Sequence, residues 1–278
     1  MKRLHFDYCM EIHYSADVSR CCYTIKCIPK DDDRQKISNL QIEMIPETKP
    51  EWDTYSNGNR YIFGRNEIEH SYFKYHIKGD AECGCVAYES AVKETEEMIY
   101  RHSHGLTTPG EKLREYMESL RKAIPDFDEM KPLDKARQIM EKLSGYLTYE
   151  KGCTGVGTSA EEAFSCGKGV CQDYSHIMIS LLNLSGCAAR YVTGLIIGEG
   201  ESHAWVEVAD DGKWYGLDPT NNIPVQDSHI KLGCGRDATE CQIHRGIMHG
   251  GGEQTQEIYV KVSEMSPGQS IISRGALF

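Results

Sequence analysis

Three short runs between Ser165 and Asn221 hold residue types able to do covalent chemistry together. They are Gly169-Val170-Cys171-Gln172-Asp173-Tyr174, His203-Ala204-Trp205-Val206-Glu207 and Leu217-Asp218-Pro219-Thr220-Asn221. A cysteine attacks as its thiolate, so it needs a base, and the base needs a group that fixes its orientation and tautomer. Histidine and aspartate are the side chains suited to those two roles. Cys171, His203 and Asp218 are therefore candidates for nucleophile, base and orienter.

The elements that must position them are legible nearby. Gly167-Lys168-Gly169 is a turn signal, and Tyr174, Ile177, Met178, Leu181 and Leu182 follow as an apolar stripe at helical spacing. Gly186 sits where a helix C-cap belongs. This predicts Cys171 in the first turn of a buried helix, where unpaired amides and the helix dipole favour a thiolate. Asp173 would oppose that effect if it faced the sulfur, and its direction is open. Ala188–Ile197 reads as a strand, followed by a hairpin of 203–208 and 213–217 around Asp210-Asp211-Gly212. With Asp210-Asp211 as the two-residue loop, His203 lies opposite Asp218. With Asp211-Gly212 as the loop, Thr220 takes that place and Asp218 is a diagonal neighbour on the same face. Both registers bring the two side chains together, whereas an unbulged three-residue loop would separate them.

These runs resemble the transglutaminase-like superfamily of papain-related cysteine enzymes, whose pattern places Cys in Gly-Val-Cys-x-Asp, His in His-Ala-Trp-Val-Glu and Asp in Asp-Pro-Thr-Asn. Thr158-Ser159-Ala160, Glu162-Ala163-Phe164, His229-Ile230 and Gly235-Arg236-Asp237 extend the likeness over about residues 95–263. The resemblance is to the bacterial branch, whose members are read as cysteine proteases. It implies a Cys171-His203-Asp218 triad and acyl transfer from a peptide or amide through a thioester. Water as second substrate makes this a protease or amidase, and an amine makes it a transglutaminase. The bacterial likeness and the lack of acidic loops with EF-hand spacing favour hydrolysis. A catalytically silent peptide-binding module is the alternative from another class. The Cys171 amide is an expected oxyanion donor, and the second donor is not specified by sequence.

The rest of the chain of 278 residues must frame this site. A net charge of −11 argues against nucleic acid or an acidic membrane as partner. No apolar run follows Met1-Lys2-Arg3-Leu4, so neither signal peptide nor membrane span is expected, and a cytoplasmic location is. Twelve cysteines then read as reduced thiols. Neither Cys83/Cys85 nor Cys234, Cys241, His244 and His249 has the paired spacings of structural zinc; Cys153 and Cys166, near Cys171, could join a site in three dimensions, but no metal or cofactor is expected.

Residues 1–88 alternate apolar and polar at period two, as from Leu4 to Tyr14, with a tight Asn57-Gly58-Asn59 turn before Arg60. They predict an antiparallel β-sandwich-like N-terminal domain that walls the substrate cleft or presents the enzyme to a partner. The strand pattern and the turn also look like the β-rich region that precedes the catalytic domain in the bacterial family. Residues 89–278 predict an α+β catalytic domain of papain-like, transglutaminase-like type, helices first and antiparallel sheet after. Within it, Thr108 to Glu111 reads as a capping box, Pro132 opens a second helix, and Thr158 with Glu161 reads as another box. Residues 244–252 read as a glycine-rich loop and 256–262 as a last strand.

Overall fold

A computed structural model describes residues 1–89 and 92–266. The boundary expected at 88/89 adjoins Ser90 and Ala91, which lie outside the described residues. The alternation that begins at Leu4 continues into a strand of 27 residues, β1 (Lys2–Ile28), with Leu4, Phe6, Tyr8, Met10 and Ile12 all buried on one face. It is followed by β2 (Gln35–Ile45), β3 (Glu51–Thr54), β4 (Arg60–Asn66) and β5 (His70–Cys83). Both β5 and β4 run antiparallel along one edge of β1, at Lys2–Val18 and Cys21–Ile28 respectively. The expected Asn-Gly turn joins β3 to β4, with Gly58 at φ 82°.

Next come β6 (Tyr88–Glu89) and the helices α1 (Glu94–Tyr100), α2 (Glu111–Ala123) and α3 (Pro132–Tyr146). The strand β7 (Thr148–Tyr149), helix α4 (Ala160–Cys166), strand β8 (Lys168–Gly169) and helix α5 (Cys171–Leu184) complete the helical part. The capping expectations shift in an instructive way. Ser159, not Thr158, caps α4, and its box partner is Glu162. Glu161 is thereby free to reach α2, where its carboxylate accepts from the amides of Gly110, Lys112 and Leu113. The α2 N-terminus thus uses a tertiary carboxylate where a local Thr108 cap was expected; three charge-assisted bonds to one anion outweigh one hydroxyl.

Six antiparallel strands form the sheet under these helices: β9 (Ala189–Ile196), β11 (His203–Asp210), β12 (Lys213–Asp218), β13 (Ile223–Pro224) and β14 (His229–Gly235), with β6 on β12. On β11, Ala204, Val206 and Val208 join the helical core with Leu143, Phe164, Ile177 and Leu181. Leu195 of β9 and Ile230 and Leu232 of β14 instead join the core of the β1 sheet. The sheet therefore contributes to two cores, and β14, packed on the β1 sheet through Ile230 and Leu232, is buried along its whole length.

The eight-stranded sheet is completed from far along the chain. Strands β15 (His244–Gly250) and β16 (Gln254–Glu264) line the other edge of β1, and the short β10 (Gly198–Gly200) pairs with β16. The expected 244–252 loop is thus a strand as far as Gly250. Gly250, Gly251 and Gly252, with φ of 91°, 95° and 60°, make the break to β16. That break faces the gap in pairing between Tyr14 and Val18 of β1, so the sheet is interrupted on both edges at one level and curls there. The segment at 256–262 is a strand as expected, but its partner is β1 and not the sheet under the helices. No described helix is long and apolar enough to cross a membrane.

Candidate active site

Helix α4 ends at Gly167, in the left-handed region at φ 71°, and β8 then pairs with β7. The chain turns directly into α5 with Cys171 as its first helical residue. Asp173, whose direction the sequence left open, turns back: its carboxylate accepts from Val170 N at 2.8 Å and from Thr154 Oγ1 at 2.6 Å. It closes the helix N-terminus instead of facing the sulfur, and burial pushes its carboxyl up. A Cβ on Gly169 would lie 2.6 Å from Asp173 Cβ, so glycine there makes room for this cap. The Gln172 amide donates to Val156 O at 3.3 Å and so ties down the 151–158 segment.

The hairpin takes the second of the two registers. Asp210 pairs with Lys213, so Asp211-Gly212 is the loop, with φ of 48° and 69° as a type I′ turn requires. Asp218 is then a diagonal neighbour of His203, and the side chains meet: His203 Nε2 lies 2.8 Å from Asp218 Oδ2. The Cys171 side chain and this ring line the same cleft. Burial works against the imidazolium, but the hydrogen bond to Asp218 and the interaction with Cys171, with their charges, win and push the His203 pKa up to about 10.

Two further residues act on the carboxylate. Asp218 Oδ2 also receives Asn221 Nδ2 at 2.7 Å and His229 Nε2 at 3.3 Å, and Oδ1 accepts from the amides of Thr220 and Asn221. The His229 Nδ1 accepts from Gln226 N at 3.3 Å, which leaves Nε2 as the protonated nitrogen facing Asp218. Burial of Asp218 would raise its pKa, yet the hydrogen bonds from His203 and His229 hold it well below the usual carboxylate range. Asn221 was legible as part of an Asp-Pro turn, because an Asp side chain accepts from amides two and three residues on. His229 entered the sequence reading only as part of the resemblance, in His229-Ile230, with no role attached.

The remaining residues of the histidine run have structural work. Trp205 lies edge-on to His229 with ring centroids 5.4 Å apart. Its ring also occupies the space over Gly194, where a Cβ would fall 2.2 Å from it. Glu207 is fully buried and neutralises Arg190 and Lys231, at 2.7 and 2.8 Å, with Glu89 from β6 completing the cluster. Breaking one partner of such a group leaves a buried charge unpaired.

Cys171 and His203 line a cleft of about 610 Å³, and Asp218 is buried behind His203. One lip carries Tyr149 and Lys151, the other Glu199 and Glu201, and Lys151 reaches Glu201 at 3.3 Å. Among the described residues, His203, Asp218 and His229 form the one group close enough to share a metal ion. Their facing atoms are already matched as N–H donors and carboxylate acceptor. The set therefore fits a hydrogen-bond relay better than a ligand sphere. All twelve cysteines are free thiols, and the Cys83/Cys85 and Cys234/Cys241 sets assemble no ligand group.

Comparison with known proteins agrees with this architecture. Residues 106–219 match the model of the transglutaminase-like superfamily. A crystal structure from Cytophaga hutchinsonii, named a "putative cysteine protease", superposes with a TM-score of 0.77 over 97% of this chain and 92% of that one, at 17% identity. Uncharacterised proteins of Mycobacterium leprae and Mycobacterium tuberculosis are 35% identical over 130 residues and 33% identical over 150 residues. These stretches are 43% and 48% of this chain and 46% and 48% of those proteins, so the chain spans about half the length of the curated relatives it matches.

Proposed function

We propose, from a chain whose residues 106–219 belong to the transglutaminase-like superfamily, that this protein hydrolyses peptide or amide bonds with Cys171 as nucleophile. His203 acts as base and Asp218 as orienter. The observation that carries this reading is one imidazole hydrogen-bonded to a buried carboxylate at 2.8 Å and sharing its cleft with the thiol of a helix-initial cysteine. His203 takes the thiol proton, or the two rest as a thiolate–imidazolium pair, and the sulfur attacks an amide carbonyl. The Cys171 amide, at the start of α5 and without a helical carbonyl to bond, is an oxyanion donor. His203 then protonates the leaving amine as the thioester forms. It next deprotonates a water that releases the acid and restores the thiol. Asp218 keeps its charge throughout and stabilises the imidazolium.

Hydrolysis, rather than amine transfer, is the branch suggested by the name of the Cytophaga hutchinsonii neighbour, and peptides or proteins are then the substrates. The test is a mass-spectrometric screen of peptide pools, and of glutamine peptides with primary amines, against the intact enzyme and Cys171→Ala. New termini that need Cys171 support hydrolysis. Amine adducts in their place would move the protein to the transglutaminases, and no Cys171-dependent product would leave a binding module.

A further inference from the structure

We propose that a recess between the two sheets, continuous with the Cys171 cleft, is a subsite for an uncharged apolar side chain of the substrate peptide. This rests on the acyl-transfer reading above and adds the chemical class of substrate. The recess measures about 350 Å³. Val156, Gln172, Tyr191, Thr193 and Ser202 line it and the 610 Å³ cleft alike, so an extended peptide bonded at Cys171 passes its mouth. Its size is near the lower end of ligand pockets, about 300–1,000 Å³, which suits a side chain more than a whole ligand.

The far wall comes from the other sheet: Tyr8 and Met10 of β1, with Ile258 of β16 and Ile243 just before β15. Ile258 stands opposite Met10 in the strand register. It is 43% exposed while Val260 and Val262 on the same strand are buried, so an apolar surface is presented at the recess.

Charge makes the second argument. Lysine, arginine, aspartate and glutamate are 26% of the chain, yet none lines the recess. The adjoining cleft carries Lys151, Glu199 and Glu201. The titratable groups at the recess are kept neutral near pH 7: burial lowers the His244 pKa and raises those of Tyr8, Tyr191 and Cys241. A charged side chain entering here would give up water and meet no counter-charge.

The experiment reads protection of Cys171, which needs no turnover. Iodoacetamide labelling of Cys171 is followed by peptide mass spectrometry in the presence of acetylated, amidated Ala-X-Ala peptides, with X as Leu, Phe, Asp or Lys. The Leu and Phe peptides are expected to protect at about tenfold lower concentration than the Asp and Lys peptides. Ile258→Asp should remove that preference and favour the Lys peptide. Ala238→Phe, which fills the recess from its third side, should weaken protection by Leu and Phe. Both variants should keep the labelling rate of free Cys171, which serves as the folding control. Equal protection across the panel, no protection by any member, or a preference that survives both substitutions would overturn the proposal. Failure of the acyl-transfer reading is separate: Cys171 would then label no faster than the exposed Cys22, Cys85 and Cys166.

Discussion

The sheet that carries the triad candidates and the sheet built on β1 are assembled over different distances along the chain. His203 and Asp218 are 15 residues apart and meet because one two-residue turn joins their strands. The β1 sheet closes only when residues 244–264 return to strand 2–28. The two are then joined by side chains. Gln35 pairs both its amide ends with the backbone of Lys231, and Asn59 does the same with Cys234, across 196 and 175 residues. These amides occupy the outer edge of β14, which has no strand partner there, and so shield it from pairing with other chains. The strand they brace carries His229, which touches Asp218. Likewise β10, just ahead of His203, is held as a strand on β16. His203 and Asp218 are thus placed by a local hairpin, while much of the support around them comes from far along the chain.

The sharpest way to test that division is to remove each part in turn. Cys171→Ala should abolish turnover, by about 10⁴-fold or more, with far-ultraviolet circular dichroism unchanged, because the nucleophile has no structural role beyond its helix position. In the intact protein Cys171 should be the first of the twelve thiols to alkylate at stoichiometric reagent. Faster labelling of Cys22, Cys85 or Cys166 would break the case for an activated site.

Deleting residues 1–91 removes no triad candidate, yet it should cost the soluble fold. It strands β15 and β16 and bares Leu195, Ile230 and Leu232, each worth about 1.5–3 kcal/mol when buried. A soluble, folded deletion variant that still labels at Cys171 would show that the remote support is dispensable and the β-region a separate domain.

Asp218→Asn should lower turnover by about 10²- to 10⁴-fold and leave Cys171 alkylation measurable, since it disturbs the tautomer and not the nucleophile. His229→Gln should fall well short of that, with the larger effect on kcat, because it removes one of the hydrogen bonds to Asp218. A loss equal to that of Asp218→Asn would mean that the remote strand orients the base as strongly as the hairpin does.

The pH dependence follows from His203. Its pKa rises from 6.5 to about 10 in the folded protein. The stabilisation this gives is complete below about 6.5 and is lost as pH climbs through 10. Thermal melts should show stability falling across that window, and the fall should be smaller in His203→Gln. Turnover should persist well above pH 8 and decline towards 10 as the imidazolium proton needed by the leaving amine is lost. On the acid side, Asp218 stays charged far below neutrality, so its protonation should not set the limb. The smallest expected effect is that of a chelator: treatment with EDTA should leave turnover and melting unchanged, and a loss restored by zinc would reassign His203, Asp218 and His229 as ligands.

Spacing alone was enough for the local features. A glycine turn before an apolar stripe places Cys171 at a helix start, and alternation with an Asp-Gly turn brings His203 to Asp218 in either permitted register. Period two also identified the strands of residues 1–88, because half-buried strands must alternate. Tertiary structure decided the rest. The capping box expected at Thr108 gave way to a remote carboxylate, Glu161, and the one expected at Thr158 moved by one residue to Ser159 and Glu162. The glycine-rich 244–252 segment became a strand, since a flanking β1 edge offers hydrogen bonds that glycine-rich composition does not reveal. The parts played by Gln35, Asn59 and His229 were hidden as well: Gln35 and Asn59 act on groups 196 and 175 residues away, and His229 meets Asp218 from a strand that does not pair with β12, while periodicity reports which face a side chain takes but not what it will meet there.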